Sequence, residues 1–332
     1  MLGTVPEREA VAAVVATWRG DELEAAIVAN GGCAAVMRSQ QDWAEHPQGR
    51  SVLAEPLMRM ETGVGAAGFD KDFDASRPLK GIKVLDLTRV LAGPVATRFL
   101  AGYGAEVLRI DPRSWDEPGV VPEVAVGKRC ARLDLKNDAG LECLKALLAE
   151  ADVLVHGYRP DALEALGLGA EVRATMRPGL IDVSHDAYGW TGPWANRRGF
   201  DSLVQMSSGI AAAGMVSARA DRPVPLPVQA LDQGAGYLLA AAAVRGLTLR
   251  KTQATGSRWR TSLARVGRFL ASYTQGPVAT QIGRPEASDY SDVIEQTAWG
   301  PALRLHSPLS LGDAVMGWEK PAGELGTSPA AW

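Results

Sequence analysis

Between Ile82 and Ser184, short apolar runs rich in β-branched residues alternate with helical patterns, which leaves the chain few folds to choose from. Ile82-Lys83-Val84-Leu85-Asp86-Leu87 reads as a strand. Gly93-Pro94 opens a helix through Leu100, with proline in the first turn, where its missing N–H breaks no helical bond. Gly102 and Gly104 end that helix, and Glu106 to Ile110 is the next strand. After a loop, Asp138 to Glu150 is predicted helical, Asp152 to His156 a strand, Asp161 to Leu166 a short helix and Leu180 to Ser184 a strand. Strands this apolar are buried on both faces, as in a largely parallel sheet whose right-handed crossovers place helices on either side. The pattern predicts an α/β class, extended by helices at Asp201 to Ala213 and Gly234 to Leu247, a strand at Arg258 to Thr261 and a helix through Tyr273.

The flanks differ from this centre. Ala10 to Trp18 and Asp21 to Ala29 show helical spacing, and Asn30-Gly31-Gly32 supplies a stop. The polar stretch Asp70 to Pro78 marks a boundary. From about Gly276 the chain is rich in proline, glycine and serine with little periodicity, predicting an extended tail. Three segments follow: 1–69, helical; 79–273, the α/β domain; and 274–332, the tail.

With 35 basic and 38 acidic residues the net charge is −3, so no electrostatic footprint for nucleic acid or anionic lipid is present. Cys33, Cys130 and Cys143 form no CxxC pair, which argues against a zinc site or a disulfide framework and suits a reducing compartment. The longest apolar stretch, Ala235 to Val244, is about half what a bilayer requires, and Met1 is not followed by a signal-peptide pattern. A soluble cytoplasmic protein with neither nucleic-acid nor membrane partner is expected.

Ligands of open α/β sheets sit beyond the carboxyl ends of strands. Asp86 to Pro94 lies at such an end; Arg89 there is either a partner for phosphate or carboxylate or an ordinary surface arginine in a turn. Gly102-Tyr103-Gly104 closes a helix instead of opening one, so it is not a dinucleotide fingerprint. Asp232, ahead of Gln233-Gly234, reads locally as a helix-capping aspartate.

The stretches Gly81 to Pro94, Gly104 to Pro112, Arg132-Leu133-Asp134-Leu135-Lys136, Ala151 to Val155, Tyr158-Arg159-Pro160 and Leu166 to Gly169 follow one another in an informative order. Arg177 to Ile181, Tyr188 to Trp194, Arg198 to Gln205 with Ser208-Gly209, and Pro227-Val228-Gln229-Ala230-Leu231-Asp232 complete it. Together, from Gly81 to Asp232, they resemble family III CoA-transferases. The resemblance implies a Rossmann-like large domain, a small second domain and an interlocked homodimer. It implies transfer of CoA from an acyl-CoA to a carboxylic acid acceptor, with Asp232 as the covalent carboxylate and no permanently bound cofactor. It also implies coenzyme A contacts at Val90, Leu133, Lys136 and Tyr158, with Arg89, Arg159 and Arg113 as further phosphate candidates. Tyr188 and Gly189 match the approach to the active site, or are turn structure.

Two departures keep alternatives open. Acyl-CoA racemases of the superfamily carry histidine after the glycine corresponding to Gly199; here Phe200 stands, and phenylalanine moves no proton. His156 and His185 fall elsewhere and read as structural. Residues about 20–60, with His46-Pro47-Gln48, look like a piece of the family's small domain placed first, and the glycine-rich loop that closes over the aspartate is not recognisable. A racemase or isomerase, or a catalytically inactive CoA-binding relative, are the competing readings.

Overall fold

A computed structural model describes residues 2–66, 74–158, 161–273, 283–307, 309 and 311–332. In chain order the elements begin with α1 (Arg8–Val15), α2 (Gly20–Ala29), α3 (Gln40–Glu45), α4 (Pro47–Ala54) and β1 (Arg59–Gly65). They continue with β2 (Lys83–Leu87), α5 (Ala92–Gly102), β3 (Glu106–Asp111), α6 (Val121–Val124), β4 (Lys128–Arg132), α7 (Asp138–Glu150) and β5 (Val153–His156). Next come α8 (Ala162–Ala165), α9 (Ala170–Met176), β6 (Ile181–Asp186), α10 (Asp201–Ser207) and α11 (Ile210–Ser217). The last are α12 (Ala230–Gln253), β7 (Thr255–Ser262), α13 (Leu263–Ala271), β8 (Tyr290–Thr297) and β9 (Gly300–Leu305). Two compact units result, one of Met1–Leu57, Asp186–Leu231 and Ser262–Tyr273, the other of Met58–His185, Asp232–Thr261 and Thr274–Trp332.

The second unit holds a seven-stranded sheet in the order β1-β7-β6-β5-β2-β3-β4. β2 pairs in parallel with β3 and β5, β3 with β4, and β5 with β6, while β1 runs antiparallel to β7. One sheet face buries Val84, Val107, Val155 and Val183 against Leu100 of α5 and Leu239, Ala243 and Leu247 of α12. The other buries Leu85, Leu108, Ile110 and Leu154 against Leu144, Leu147 and Leu148 of α7. Both faces are covered by helices, as the apolar strands require, and the expected mixed α/β architecture with a mostly parallel sheet is present.

Buried charge inside this unit is paired. Lys128 Nζ lies 3.0 Å from Asp86 Oδ2 and donates to Thr97 Oγ1 at 2.6 Å. Burial alone would raise the Asp86 carboxyl, but the Lys128 and Arg109 charges outweigh it and hold it below its ordinary value. On the other face Asp182 accepts from Arg173 Nη2 at 2.6 Å and contacts His156 Nε2 at 3.1 Å.

The first unit is helical around an aromatic cluster. Trp43 stacks on His46 with ring centroids 5.4 Å apart, and Tyr188 meets Trp194 edge-on at 5.1 Å. Buried Glu24 accepts from the Val36 N–H at 2.6 Å and pairs with Arg38 and Arg197.

Four expectations differ from what is seen. Lys128–Arg132 is a strand despite three basic residues, because Lys128 finds Asp86 and need not stay in water. Arg59–Gly65, within the stretch read as helical, is a strand whose Arg59, Glu61 and Gly65 pair with β7. The single helix expected over Asp201 to Ala213 breaks at Gly209, whose left-handed φ of 81° and close approach to the Gln40 backbone no side chain would tolerate. The tail expected to be extended contains the antiparallel hairpin β8–β9. Among the described residues no helix is long and apolar enough to cross a membrane.

Candidate active site

The strand order reverses at β2, from which the chain runs to β3 and β4 on one side and to β5 and β6 on the other. The connections after β2 and β5 leave in opposite directions at the carboxyl edge, the place where sheets of this kind take their ligands in a crevice. Arg89 follows β2, Tyr158 follows β5, and they meet there. Arg89 Nη2 donates to the Tyr158 hydroxyl at 3.1 Å, and its guanidinium lies 5.2 Å from the Tyr158 ring centre and 4.9 Å from that of Trp115. Burial pushes the Tyr158 phenol up, against the opposing pull of Arg89, so it remains a neutral donor. Asp111 Oδ1 lies 3.8 Å from Arg89 Nε, so an incoming anion would share Arg89 with Asp111.

Val90 has φ 65°, a left-handed conformation that a β-branched residue seldom adopts. Its N–H donates to Glu117 Oε2 at 2.9 Å, and Glu117 also accepts from buried Arg109. Arg109 is bidentate on Asp111, at 2.8 and 3.2 Å. Burial works against its charge, but the surrounding carboxylates prevail and raise its pKa. A buried cluster of basic and acidic groups thus adjoins Arg89.

Leu133, just past β4, donates its N–H to the Asp111 carbonyl at 2.9 Å and packs its side chain against the α7 side of the core. Lys136 is exposed, its backbone N–H on Asp134 Oδ1 at 3.0 Å. Arg113 is exposed, its carbonyl accepting from Arg132. Arg159 lies outside the described residues.

Asp232 stands in the first turn of α12 and is 6% exposed. It continues the helix's buried stripe of Ala235, Gly236, Leu239, Ala240, Ala243 and Leu247, the face turned to the sheet. Gly236, one turn on, packs against the start of α5: a Cβ there would come 2.8 Å from the Ala92 carbonyl. That contact sets the first turn of α12 beside the helix that follows Arg89 and Val90. The residues leading into Asp232 are strained, with Val228 at φ 57° and Gln229 at φ 47°.

In the first unit, Asp201 Oδ2 accepts the Leu231 N–H at 2.8 Å and Gln205 Oε1 accepts that of Leu226 at 2.7 Å, two buried side chains pinning the segment ahead of Asp232. Tyr188 is buried there with its hydroxyl 3.1 Å from Ser207 Oγ, and Gly189 donates to Asp186 at 2.8 Å. Glu55 accepts from the N–H groups of Trp190 and Thr191, so these contacts describe a turn. Phe200 is 47% exposed and offers no proton.

Sequence reasoning passed over Trp115 and Glu117. The available signal was an aromatic and an acid in the loop after the strand neighbouring β2, but which residue they face is a long-range property.

A family model described as CoA-transferase family III matches residues 79–290. The succinyl-CoA:glutarate CoA-transferase of Mus musculus is 36% identical over 180 residues, covering 48% of this chain and 41% of that protein. The succinyl-CoA–D-citramalate CoA-transferase of Chloroflexus aurantiacus is 33% identical over 160 residues, covering 44% and 39%. A crystal structure from Mycobacterium tuberculosis matches with a TM-score of 0.55 at 30% identity, over 59% of this chain and 56% of that one. A CAIB/BAIF family protein from Brucella suis gives 0.51 at 25% identity, over 68% and 65%. The chain spans less than half the length of these curated relatives. The matched stretch takes in the whole parallel part of the sheet, the crevice and Asp232, and the chain belongs to CoA-transferase family III.

Proposed function

We propose that this protein moves CoA from an acyl-CoA thioester to a carboxylic acid, with Asp232 as the covalent carboxylate and the nucleotide end of CoA at the Arg89–Tyr158 crevice. The observation that carries this reading is placement: the buried stripe of α12 ends in a carboxylate at the edge where the strand order reverses. The first turn of a helix favours the ionised form, as a nucleophile requires.

In this reading a carboxylate oxygen of Asp232 attacks the thioester carbonyl, the C–S bond breaks, and a mixed anhydride and CoA thiolate form. The thiolate attacks the aspartyl carbonyl, releasing the donor acid and leaving CoA on Asp232. The acceptor carboxylate attacks that thioester and expels the thiolate, which then takes the acceptor's acyl group and frees Asp232. No net proton or electron is exchanged, and excluding water preserves the thioester. Val90, Leu133 and Tyr158 would flank the nucleotide; exposed Lys136 and Arg89 would face its phosphates. CoA is then a substrate and no resident cofactor is needed.

The relatives' names contain succinyl-CoA, glutarate and D-citramalate, so CoA esters of dicarboxylic acids and the acids themselves are the first donors and acceptors to try. The reading includes a homodimer, supported by family membership, and a cytoplasmic setting, supported by three free cysteines. The test is intact mass after incubation with short acyl-CoAs and hydroxylamine trapping, for wild type and Asp232→Asn. A modification mapped to Asp232 and lost in the variant supports the reading; no adduct with any thioester overturns it.

A further inference from the structure

We propose that His185 is a specificity-determining residue of this crevice, hydrogen-bonding a polar group at the far end of the acyl or acceptor acid; this rests on the transfer reading above. The pairing of β5 with β6 sets Val153 beside Ile181 and Val155 beside Val183, and all four pack with α12 residues. Two residues further along each strand, Gly157 and His185 lie side by side on that same face, at the carboxyl edge. A Cβ on Gly157 would come 2.7 Å from His185 Nε2. The missing side chain gives the imidazole its room, and Gly157 itself is exposed, so a shift of this glycine's backbone would let a ligand reach Nε2.

Both ring nitrogens of His185 are closed off from solvent and have no hydrogen-bond partner among the described residues. Enclosed, unpaired polar atoms are unfavourable unless something arrives to satisfy them. His156, on the opposite face, differs: its Nε2 is engaged with Asp182 at 3.1 Å. Burial, reinforced by the nearby His156, brings the His185 pKa down to about 4. Near pH 7 the ring is therefore neutral, with one N–H to donate and one lone pair to accept.

Position identifies which part of the ligand it would meet. Gly246 of α12 packs on Ile181, at the start of β6, and Gly236 on Ala92, so the helix runs antiparallel to the strand. Helical rise carries Asp232 roughly 21 Å from Gly246. Strand rise carries His185 roughly 13 Å from Ile181. Asp232 thus lies about 8 Å further along, a separation a short acyl chain would bridge. β6 is on the side of β5 away from β2, β3 and β4, whose ends carry Arg89, Val90 and Leu133. His185 therefore faces the acid, across the crevice from the nucleotide.

The test compares succinyl-CoA with butyryl-CoA, equal in length but ending in a carboxylate or a methyl, in wild type, His185→Leu and His185→Gln. The readouts are adduct formation at Asp232 and kcat/KM, with folding followed by circular dichroism. The succinyl-to-butyryl ratio is expected to fall about tenfold in His185→Leu, through KM, and to recover in part in His185→Gln. If the leucine variant does not fold, His185→Asn carries the same comparison. A ratio that does not move while the Asp232 adduct still forms would mean a ring satisfied by buried water only, overturning this inference and sparing the transfer reading. No adduct with either thioester in wild type would overturn the transfer reading, and this inference with it.

Discussion

Arg89 donates to the hydroxyl of Tyr158 across 3.1 Å, tying the loop after β2 to the loop after β5 at the reversal of strand order. Removing the cation should release that tie and a charge-assisted contact together. Arg89→Ala is expected to weaken binding of free CoA about tenfold, in keeping with a charged hydrogen bond of ~1.5–3 kcal/mol. Tyr158→Phe keeps the ring under the guanidinium and should cost about threefold or less. Isothermal titration separates the two, and equal losses would contradict a role for the charge.

Glu117 holds the Val90 N–H and Arg109, placing a carboxylate where an anionic ligand would approach. Glu117→Gln keeps an acceptor but removes the repulsion, so CoA should bind several-fold more tightly at low salt, with the gain fading as salt screens it. Titrations at two ionic strengths provide the check. Tightening that ignores salt would point to loop rearrangement instead.

Asp182 makes part of the stability acid-sensitive. Burial alone would raise its carboxyl, yet His156 and Arg173 hold it well below the ordinary range. A carboxyl depressed in the folded state stabilises above its unfolded pKa, about 3.9, and that contribution drains away as pH falls below this toward the folded value. Asp182→Asn should lose about 3–5 kcal/mol at neutral pH, as for a broken buried pair. Its stability should also fall less steeply than wild type between about pH 5 and 2. Urea unfolding across that range tests both statements.

Lys128 donates to Asp86, Thr97 and the Pro94 carbonyl, all inside the sheet–α5 interface. Lys128→Met leaves the Asp86 charge buried without its cation and should cost about 3–5 kcal/mol. The double variant with Asp86→Asn should be more stable than the single one, because no charge is then stranded. Thermal melts of both suffice.

How much of this was readable in advance depended on the range of the interaction. Val84-Leu85, Val107-Leu108 and Val153-Leu154 were legible as strands because burial on both faces writes itself as unbroken apolar sequence. Lys128–Arg132 was not, since its burial depends on Asp86, 42 positions away. The left-handed backbone at Val90 and Val228 leaves no trace in residue type, valine being among the least suited to it. Asp232 looked like a cap, and its membership of a buried stripe emerged only once α12 was seen to begin at Ala230. His185 read as structural because the sequence shows an apolar strand ending in a histidine, not whether that ring finds a partner.

β1 carries a consequence in time. Glu61 pairs with Arg260 across 199 positions, so the strand is made long before its neighbour exists. At synthesis rates of ~5–20 residues per second, it waits on the order of 10–40 s with its backbone groups unpaired. Such a strand is open to pairing with the wrong chain, and like-for-like stacking is discouraged by charge on the strand itself. Arg59 and Glu61, which later lie against β7, would set like charges opposite each other if two nascent copies stacked in parallel and in register, so that arrangement is the one their charges oppose.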